Sequence, residues 1–232
     1  MQDLIMYQYQ DRTVDFVINK RKVALFLDMG MGKTLITLKS IQKMIDDLIS
    51  VNVLIIAPLR VANTTWSNEI DKWNDFKYLT YQVCTQSLDI RTDNLNKNVN
   101  IHIINRENIA WLVENVVWKW DTVIIDESSS FKSHKSKRFR ALKAVINKID
   151  NIILLTGTPS PQSYMDLWSQ LYLVDKGERL GKTITQYRTD YFKMRPYVMD
   201  KWDIVAGADT LIKSKIADVC ISMKQSDYLE LP

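Results

Sequence analysis

Short runs of consecutive apolar residues alternate along this chain with stretches whose apolar residues recur at helical spacing. Such runs are typical of strands buried on both faces of a parallel sheet. The predicted strands are residues 23–27, 51–58, 79–83, 100–104, 122–125 and 152–155. Helical patterns precede or follow them at residues 14–18, 38–48, 61–73, 107–117 and 164–173. This alternation predicts an α/β fold with a mostly parallel central sheet flanked by helices.

Two regions interrupt the alternation. Residues 75–100 are polar and rich in asparagine, and apart from the short strand at 79–83 they are predicted to form surface loops. Residues 176–219 are aromatic, charged and irregular, which indicates an appendage that protrudes from the α/β unit. No internal repeat or low-complexity tract accompanies them.

The turn between the strand at 23–27 and the following helix carries phosphate-binding chemistry. Gly30, Met31, Gly32, Lys33 and Thr34 match the second half of the P-loop pattern G-x-x-x-x-G-K-[ST], although position 27, where its first glycine would fall, is leucine. Glycines let backbone N–H groups converge on an anion at a helix N-terminus, lysine reaches the β- and γ-phosphates, and the hydroxyl binds Mg²⁺. The alternative is an ordinary glycine-containing turn with a solvated lysine.

Two adjacent carboxylates, Asp126 and Glu127, follow the strand at 122–125. Ligands in open α/β sheets bind at the carboxyl ends of the strands, so this pair is predicted to lie beside the phosphate loop. Asp126 is placed to hold Mg²⁺, and Glu127 to orient and deprotonate a water molecule. The alternative is an acidic pair favoured by a helix dipole.

Three further features are candidates for ligand contacts. Gln10, just before the helix that precedes the first strand, can pair with adenine because its amide both donates and accepts, although most single glutamines are simply solvated. Residues 128–147 contain six basic residues and no acidic one, which suits a phosphate backbone but also a solvated helix face. The turn Thr156, Gly157, Thr158 offers hydroxyls at the same sheet edge as the carboxylates.

The composition of the chain limits the kinds of protein that it can be. The 232 residues are 46% hydrophobic and 25% charged with a net charge of only +4, so local clustering rather than bulk charge has to support nucleic-acid binding. Cys84 and Cys220 make no metal or redox spacing and are expected to be reduced thiols. Without a membrane-length apolar run or a signal-peptide pattern, the protein is expected to be cytoplasmic or nucleoid-associated, neither secreted nor bound to a membrane.

Taken together, the motifs resemble the first RecA-like lobe of a superfamily 2 helicase, most closely the Swi/Snf group of double-stranded DNA translocases. That group lacks the first P-loop glycine, as this chain does at Leu27. The segments that carry the resemblance are Tyr9-Gln10, residues 27–34, Ala57-Pro58-Leu59 with Trp66, Glu69 and Trp73, Asn105-Arg106-Glu107, Asp126-Glu127-Ser128-Ser129, and Thr156-Gly157-Thr158-Pro159. One departure stands out, because Ser-Ser replaces the Ala-His of the group's D-E-A-H motif and removes a histidine that helps couple the site to the motor.

The resemblance implies ATP and Mg²⁺ as cofactors and double-stranded DNA as the partner. It assigns adenine to Gln10, phosphate to Gly30, Met31, Gly32 and Lys33, and Mg²⁺ to Thr34 and Asp126, with Lys33, Asp126 and Glu127 as the catalytic set. DNA contact or coupling falls to Pro58, Leu59, Arg106, Lys132, Thr156, Gly157 and Thr158. Two alternatives remain open, a nonhydrolysing nucleotide- or DNA-binding module and an RNA helicase of the same superfamily.

The same resemblance predicts the organisation of the chain. Residues 1–174 are expected to form the ATP-binding lobe, residues 175–220 a helical protrusion packed on it, and residues 221–232 a connector to a second RecA-like lobe. That second lobe would supply an arginine to the ATP cleft, so the chain is expected to be a fragment or one half of a split protein with low activity of its own.

Overall fold

A computed structural model describes residues 2–157, 164–195 and 201–228. Its strands are β1 (Lys22–Leu27), β2 (Val53–Ala57), β3 (Tyr81–Val83), β4 (Ile101–Asn105), β5 (Thr122–Ile125), β6 (Asn151–Thr156), β7 (Phe192–Met194), β8 (Trp202–Ile204) and β9 (Cys220–Met223). Its helices are α1 (Gln8–Lys20), α2 (Lys33–Asp46), α3 (Leu59–Lys72), α4 (Leu88–Asn96), α5 (Ile109–Asn115), α6 (Lys137–Val145), α7 (Leu167–Asp175), α8 (Ile184–Tyr191) and α9 (Ala208–Ile216).

Seven strands form one sheet in the order β3-β4-β2-β5-β6-β1-β9, and each neighbouring pair is parallel. The strand with the phosphate-loop turn, β1, therefore lies between β6 and β9. Because all seven strands run in one direction, the turns that follow β1, β5 and β6 meet at the same edge. This arrangement confirms the predicted α/β fold with a parallel central sheet flanked by helices.

The two faces of the sheet bury alternate residues of the same strands. Val23 and Leu25 of β1 belong to a core shared with α1, α2 and α3, whereas Ala24 and Phe26 belong to a core shared with α5 to α9. The continuous apolar runs in the sequence follow from this, since the inner strands β1, β2, β4, β5 and β6 are buried on both sides.

The appendage after α7 is a mixture of helices and a small hairpin. β7 and β8 pair antiparallel between α8 and α9. Tyr187, Tyr191, Ile212 and Ile216 of the two helices are buried in the same core as α5 to α7. The predicted protrusion near the C-terminus is therefore present and packed against one face of the sheet, and it contains a hairpin that the sequence pattern did not indicate.

α4 and β9 were also not predicted. α4 forms where only loops were expected. The sequence shows no helical signal there because the apolar residues of α4 make no stripe: Leu88 and Ile90 are exposed, and Leu95 alone of them reaches the core. β9 pairs with β1 although its residues alternate in polarity and are only half-buried, as suits an edge strand. No helix in the described parts of the chain is both long and apolar enough to cross a bilayer.

Candidate nucleotide-binding site

The turn between β1 and α2 depends on two glycines in the left-handed region. Gly30 has φ +79° and Gly32 has φ +76°, values that residues with a Cβ atom adopt only at a cost. α2 begins immediately afterwards at Lys33, whose amine donates hydrogen bonds to the carbonyls of Leu27 at 2.8 Å and Asp28 at 3.0 Å. The lysine side chain therefore lies over the turn at the helix N-terminus.

Gln10 holds α1 against this turn. Its side-chain Nε2 donates to the carbonyl of Met31 at 3.3 Å, and its Oε1 accepts from the backbone N–H of Tyr7 at 2.9 Å. The Tyr9 hydroxyl donates to the same Met31 carbonyl at 3.2 Å. A Cβ at Gly32 would lie 2.5 Å from Gln10 Nε2, so the missing side chain also makes room for this contact. The glutamine that is predicted to contact adenine is therefore already hydrogen-bonded to the phosphate loop.

The carboxyl end of β5 places the two acids. The Asp126 N–H donates to the carbonyl of Ile56 at 2.8 Å, which continues the pairing of β5 with β2 by one residue. Glu127 then adopts the left-handed conformation, with φ 53° and ψ 58°. For a residue with a Cβ this conformation costs about 1–2 kcal/mol. A strained backbone of this kind is concentrated at functional sites, and here it falls on the predicted catalytic base.

The lysine and the acid both approach Gly157. A Cβ built on it would lie 3.7 Å from Lys33 Nζ and 4.0 Å from Glu127 Oε1, so both groups border the space that glycine leaves open. Gly157 follows β6, the strand between β5 and β1. The structure therefore brings together Lys33, Glu127 and the turn after β6 at one edge of the sheet.

Charge interactions tie Asp126 to the same group. Burial lowers the pKa of Lys33, and the carboxylates of Glu127, Asp126 and Asp28 oppose that shift by favouring the ammonium form. Burial raises the pKa of Asp126; Glu127 adds to the increase, while a hydrogen bond from Trp66 and the charge of Lys33 act against it. The phosphate-loop lysine and both acids thus share one partly buried electrostatic environment.

The donors at this edge fit Mg²⁺. Asp126 offers carboxylate oxygens and Thr34, in the first turn of α2, offers a hydroxyl, and Mg²⁺ prefers hard oxygen ligands. Among the described residues no cluster of three or more His, Cys, Asp or Glu side chains could hold a metal by itself. In proteins Mg²⁺ is usually held by one or two carboxylates together with water and substrate phosphates.

A cavity of about 390 Å³ opens beside Glu127. Arg106, Lys132, Thr156 and Gly157, four of the residues predicted to contact or couple to DNA, contribute to its lining. Pro58 and half-exposed Leu59 lie instead at the start of α3, after β2. Thr158 falls outside the described residues. Of the basic stretch, Lys132, Lys135, Lys137, Arg140 and Lys143 are exposed.

Sequence reasoning missed several contacts around the site. Buried Ser128 donates from its hydroxyl to Gln170 Oε1 of α7 at 2.8 Å. After β9, the Gln225 N–H donates to Asp28 Oδ2 at 2.9 Å, and the Tyr228 ring lies 5.3 Å from that of Tyr9. These partners are far apart in the chain, so no local spacing could have indicated them.

Comparison with known proteins finds a matching family model and similar relatives. A family model described as the SNF2-related domain matches residues 9–186. Protein p41 of Acyrthosiphon pisum secondary endosymbiont phage 1 is 32% identical over 235 residues, which cover 96% of this chain and 51% of that protein. The human DNA excision repair protein ERCC-6-like is 30% identical over 176 residues, or 71% of this chain and 13% of that protein.

A solved structure shares the fold. The Sulfolobus solfataricus SWI2/SNF2 ATPase core in complex with dsDNA superposes with a TM-score of 0.77 at 22% identity, covering 97% of this chain and 47% of the archaeal one. The chain thus spans about half or less of the length of the proteins it matches. The predicted RecA-like architecture is confirmed by this match.

Proposed function

The chain belongs to the SNF2-related domain family, and on that premise we propose that it is the ATP-binding lobe of an ATP-dependent translocase acting on double-stranded DNA. The observation that carries this proposal is the approach of both Lys33 and Glu127 to Gly157, with Asp126 in the same electrostatic environment. A phosphate cradle, a metal ligand and a base at one sheet edge are the parts that hydrolysis of a nucleoside triphosphate requires.

Each residue then has a defined task. Gln10 recognises adenine, the backbone of Gly30, Met31 and Gly32 holds the phosphates, and Lys33 neutralises the charge on the β- and γ-phosphates. Thr34 and Asp126 hold Mg²⁺, which when bound stabilises the charge that develops on the phosphoryl oxygens. Glu127 orients the attacking water and accepts its proton, for which a carboxylate beside Lys33 is suited.

Binding of DNA is assigned to the side of the site where the cavity opens. Arg106 and Lys132, which form ion pairs with Glu107 and Asp166, line a cavity that also contacts Glu127, Thr156 and Gly157. Contacts of basic side chains with the DNA backbone neutralise phosphates without reading sequence. One relative from Arabidopsis thaliana, 31% identical over 156 residues, is named ATP-dependent DNA helicase DDM1. Together these features support DNA as the polymer that stimulates hydrolysis. Pro58, Leu59 and Thr158 are proposed to contact it as well.

The proposed organisation is an ATP-binding lobe over residues 1–174, an appendage over 175–220 and a connector over 221–232 that leads to a second RecA-like lobe. That second lobe, in the same or another chain, would supply the arginine that stabilises charge in the transition state. The pairing of β9 with β1 means that the connector would start within the sheet itself.

The test separates binding from hydrolysis. We expect the chain to bind a fluorescent ATP analogue in the presence of Mg²⁺, and Glu127→Gln to keep that affinity while losing turnover by at least about 10²-fold, as removal of a general base does. Glu114→Gln, an exposed acid on α5, is the matched control. Turnover is measured with a second RecA-like lobe supplied.

Three polymers then distinguish the alternatives. Duplex DNA is expected to stimulate hydrolysis more than single-stranded DNA or RNA at equal nucleotide concentration. Greater stimulation by RNA would favour an RNA helicase, and ATP binding without hydrolysis under every condition would favour a nonhydrolysing module. Unchanged turnover in Glu127→Gln would remove that residue from its proposed role.

A further inference from the structure

Trp66 brings a polar group into the core next to the candidate metal ligand. α3 buries Ala62, Trp66 and Ile70, a stripe at intervals of four residues that faces the sheet. Trp66 is fully buried. Its indole N–H donates a hydrogen bond, and a buried indole without a partner is costly, so the group it reaches determines what this side chain does beyond packing.

That partner is the carboxylate of Asp126. Trp66 Nε1 donates to Asp126 Oδ2 at 3.1 Å, while the backbone N–H of Glu127 donates to Asp126 Oδ1 at 3.0 Å. Both oxygens are therefore held, one from α3 and one from the turn after β5. Two donors on opposite oxygens fix the plane of a carboxylate, and each oxygen keeps lone-pair capacity for a further ligand.

We propose that Trp66 is a positioning residue that orients the Asp126 carboxylate for Mg²⁺. The inference rests on the proposed function, in which Asp126 is a metal ligand. Groups that hydrogen-bond a ligating carboxylate orient it and tune the site, and their loss typically lowers metal affinity about 10–100-fold. A tryptophan that only filled the core would leave the Mg²⁺ dependence of nucleotide binding unchanged when its N–H is removed.

The chain offers a matched control at the end of the same helix. Trp73, directly after α3, also donates from its indole to a carboxylate, Glu69 Oε2, at 2.9 Å. Trp66→Phe and Trp73→Phe each remove one such bond while keeping an aromatic ring. We expect Trp66→Phe to raise the Mg²⁺ concentration for half-maximal binding of a fluorescent ATP analogue about 10-fold or more. Trp73→Phe is expected to match the wild type, and binding in EDTA should be equal in all three.

A second measurement covers the case in which Trp66→Phe does not fold. In the wild-type chain with ¹⁵N-labelled tryptophan, addition of Mg²⁺ with a nonhydrolysable ATP analogue should shift the Trp66 indole resonance more than that of Trp73, and more than the analogue in EDTA does. Equal shifts, or equal Mg²⁺ dependence in the two Phe variants, would overturn the positioning role while leaving the proposed function intact. A wild-type chain without Mg²⁺-dependent binding would refute the proposed function and this inference with it.

Discussion

Gly157→Ala separates the stability of the fold from the chemistry of the site. The added methyl would lie 3.6 Å from Met29 Cγ, 3.7 Å from Lys33 Nζ and 4.0 Å from Glu127 Oε1, all ordinary contact distances. Gly157 is not in the left-handed region, so alanine brings no backbone strain. Replacing glycine by alanine at a compatible position stabilises a protein by about 0.4–1 kcal/mol, because the unfolded chain loses freedom. The variant should therefore be as stable as the wild type or slightly more so.

The same methyl should nearly abolish hydrolysis. An oxygen atom that accepts a hydrogen bond from the Lys33 amine lies about 3 Å from Nζ. A phosphate oxygen or water molecule that binds in the direction of Gly157 would overlap the added methyl group and must therefore move by at least about 1 Å. A misplacement of about 1 Å lowers a rate about 10²-fold. We therefore expect a loss in kcat of about 10²-fold or more.

Gly207→Ala gives the opposite pattern. Gly207 has φ +79° and no atom within 4 Å of its missing Cβ, and it lies before α9. Alanine there should cost about 1 kcal/mol in the free energy of unfolding and leave turnover unchanged. Thermal and urea unfolding, with ATPase measured beside a second lobe and duplex DNA, check both variants. If Gly157→Ala hydrolyses ATP within threefold of the wild type, the open space at Gly157 is not where the phosphate and water meet.

Two further predictions concern groups around the sheet. Burial lowers the pKa of His102 to about 4 from 6.5 in the unfolded chain, so the unfolded state binds the proton first and stability falls by about 3 kcal/mol as the pH drops from 6.5 to 4. Urea unfolding at pH 7 and 4.5 should show a smaller decrease in the free energy of unfolding for His102→Asn than for the wild type. An equal decrease would mean that His102 does not cause the loss of stability. Ser128→Ala should cost about 1–3 kcal/mol by stranding the Gln170 amide oxygen, whereas the double variant Ser128→Ala, Gln170→Leu should cost less than the sum of the singles. Additive costs would mean that the two side chains do not interact.

The sequence pattern was most informative where local chemistry dictates the backbone. The apolar run of β1 and the glycines at 30 and 32 predicted a strand, a turn and a helix, and all three are present. The edge strand β9 was not predicted because a half-buried strand has only a weak hydrophobic pattern. Propensity gave no sign that Glu127 would adopt a left-handed conformation, since that region favours glycine.

The site was predictable as a set of residues but not as a network. Lys33, Asp126 and Glu127 each follow a strand that could be predicted, and a parallel sheet necessarily brings such turns to one edge. The bond from Trp66 to Asp126 joins residues 60 positions apart, and the bond from Ser128 to Gln170 joins residues 42 apart. Pairings of this range depend on how helices pack over the sheet, which no single-sequence spacing encodes.

The place of β1 in the sheet has a consequence for biogenesis. Lys22 pairs with Ile152 and Ala24 with Cys220, so the strand that leads into the phosphate loop gains its neighbours only from much later parts of the chain. During synthesis at about 5–20 residues per second, β1 therefore waits several seconds or more with both hydrogen-bonding edges open. Nucleotide cannot assist the early stages of folding, and a chaperone that shields the nascent N-terminal third should raise the yield of native protein.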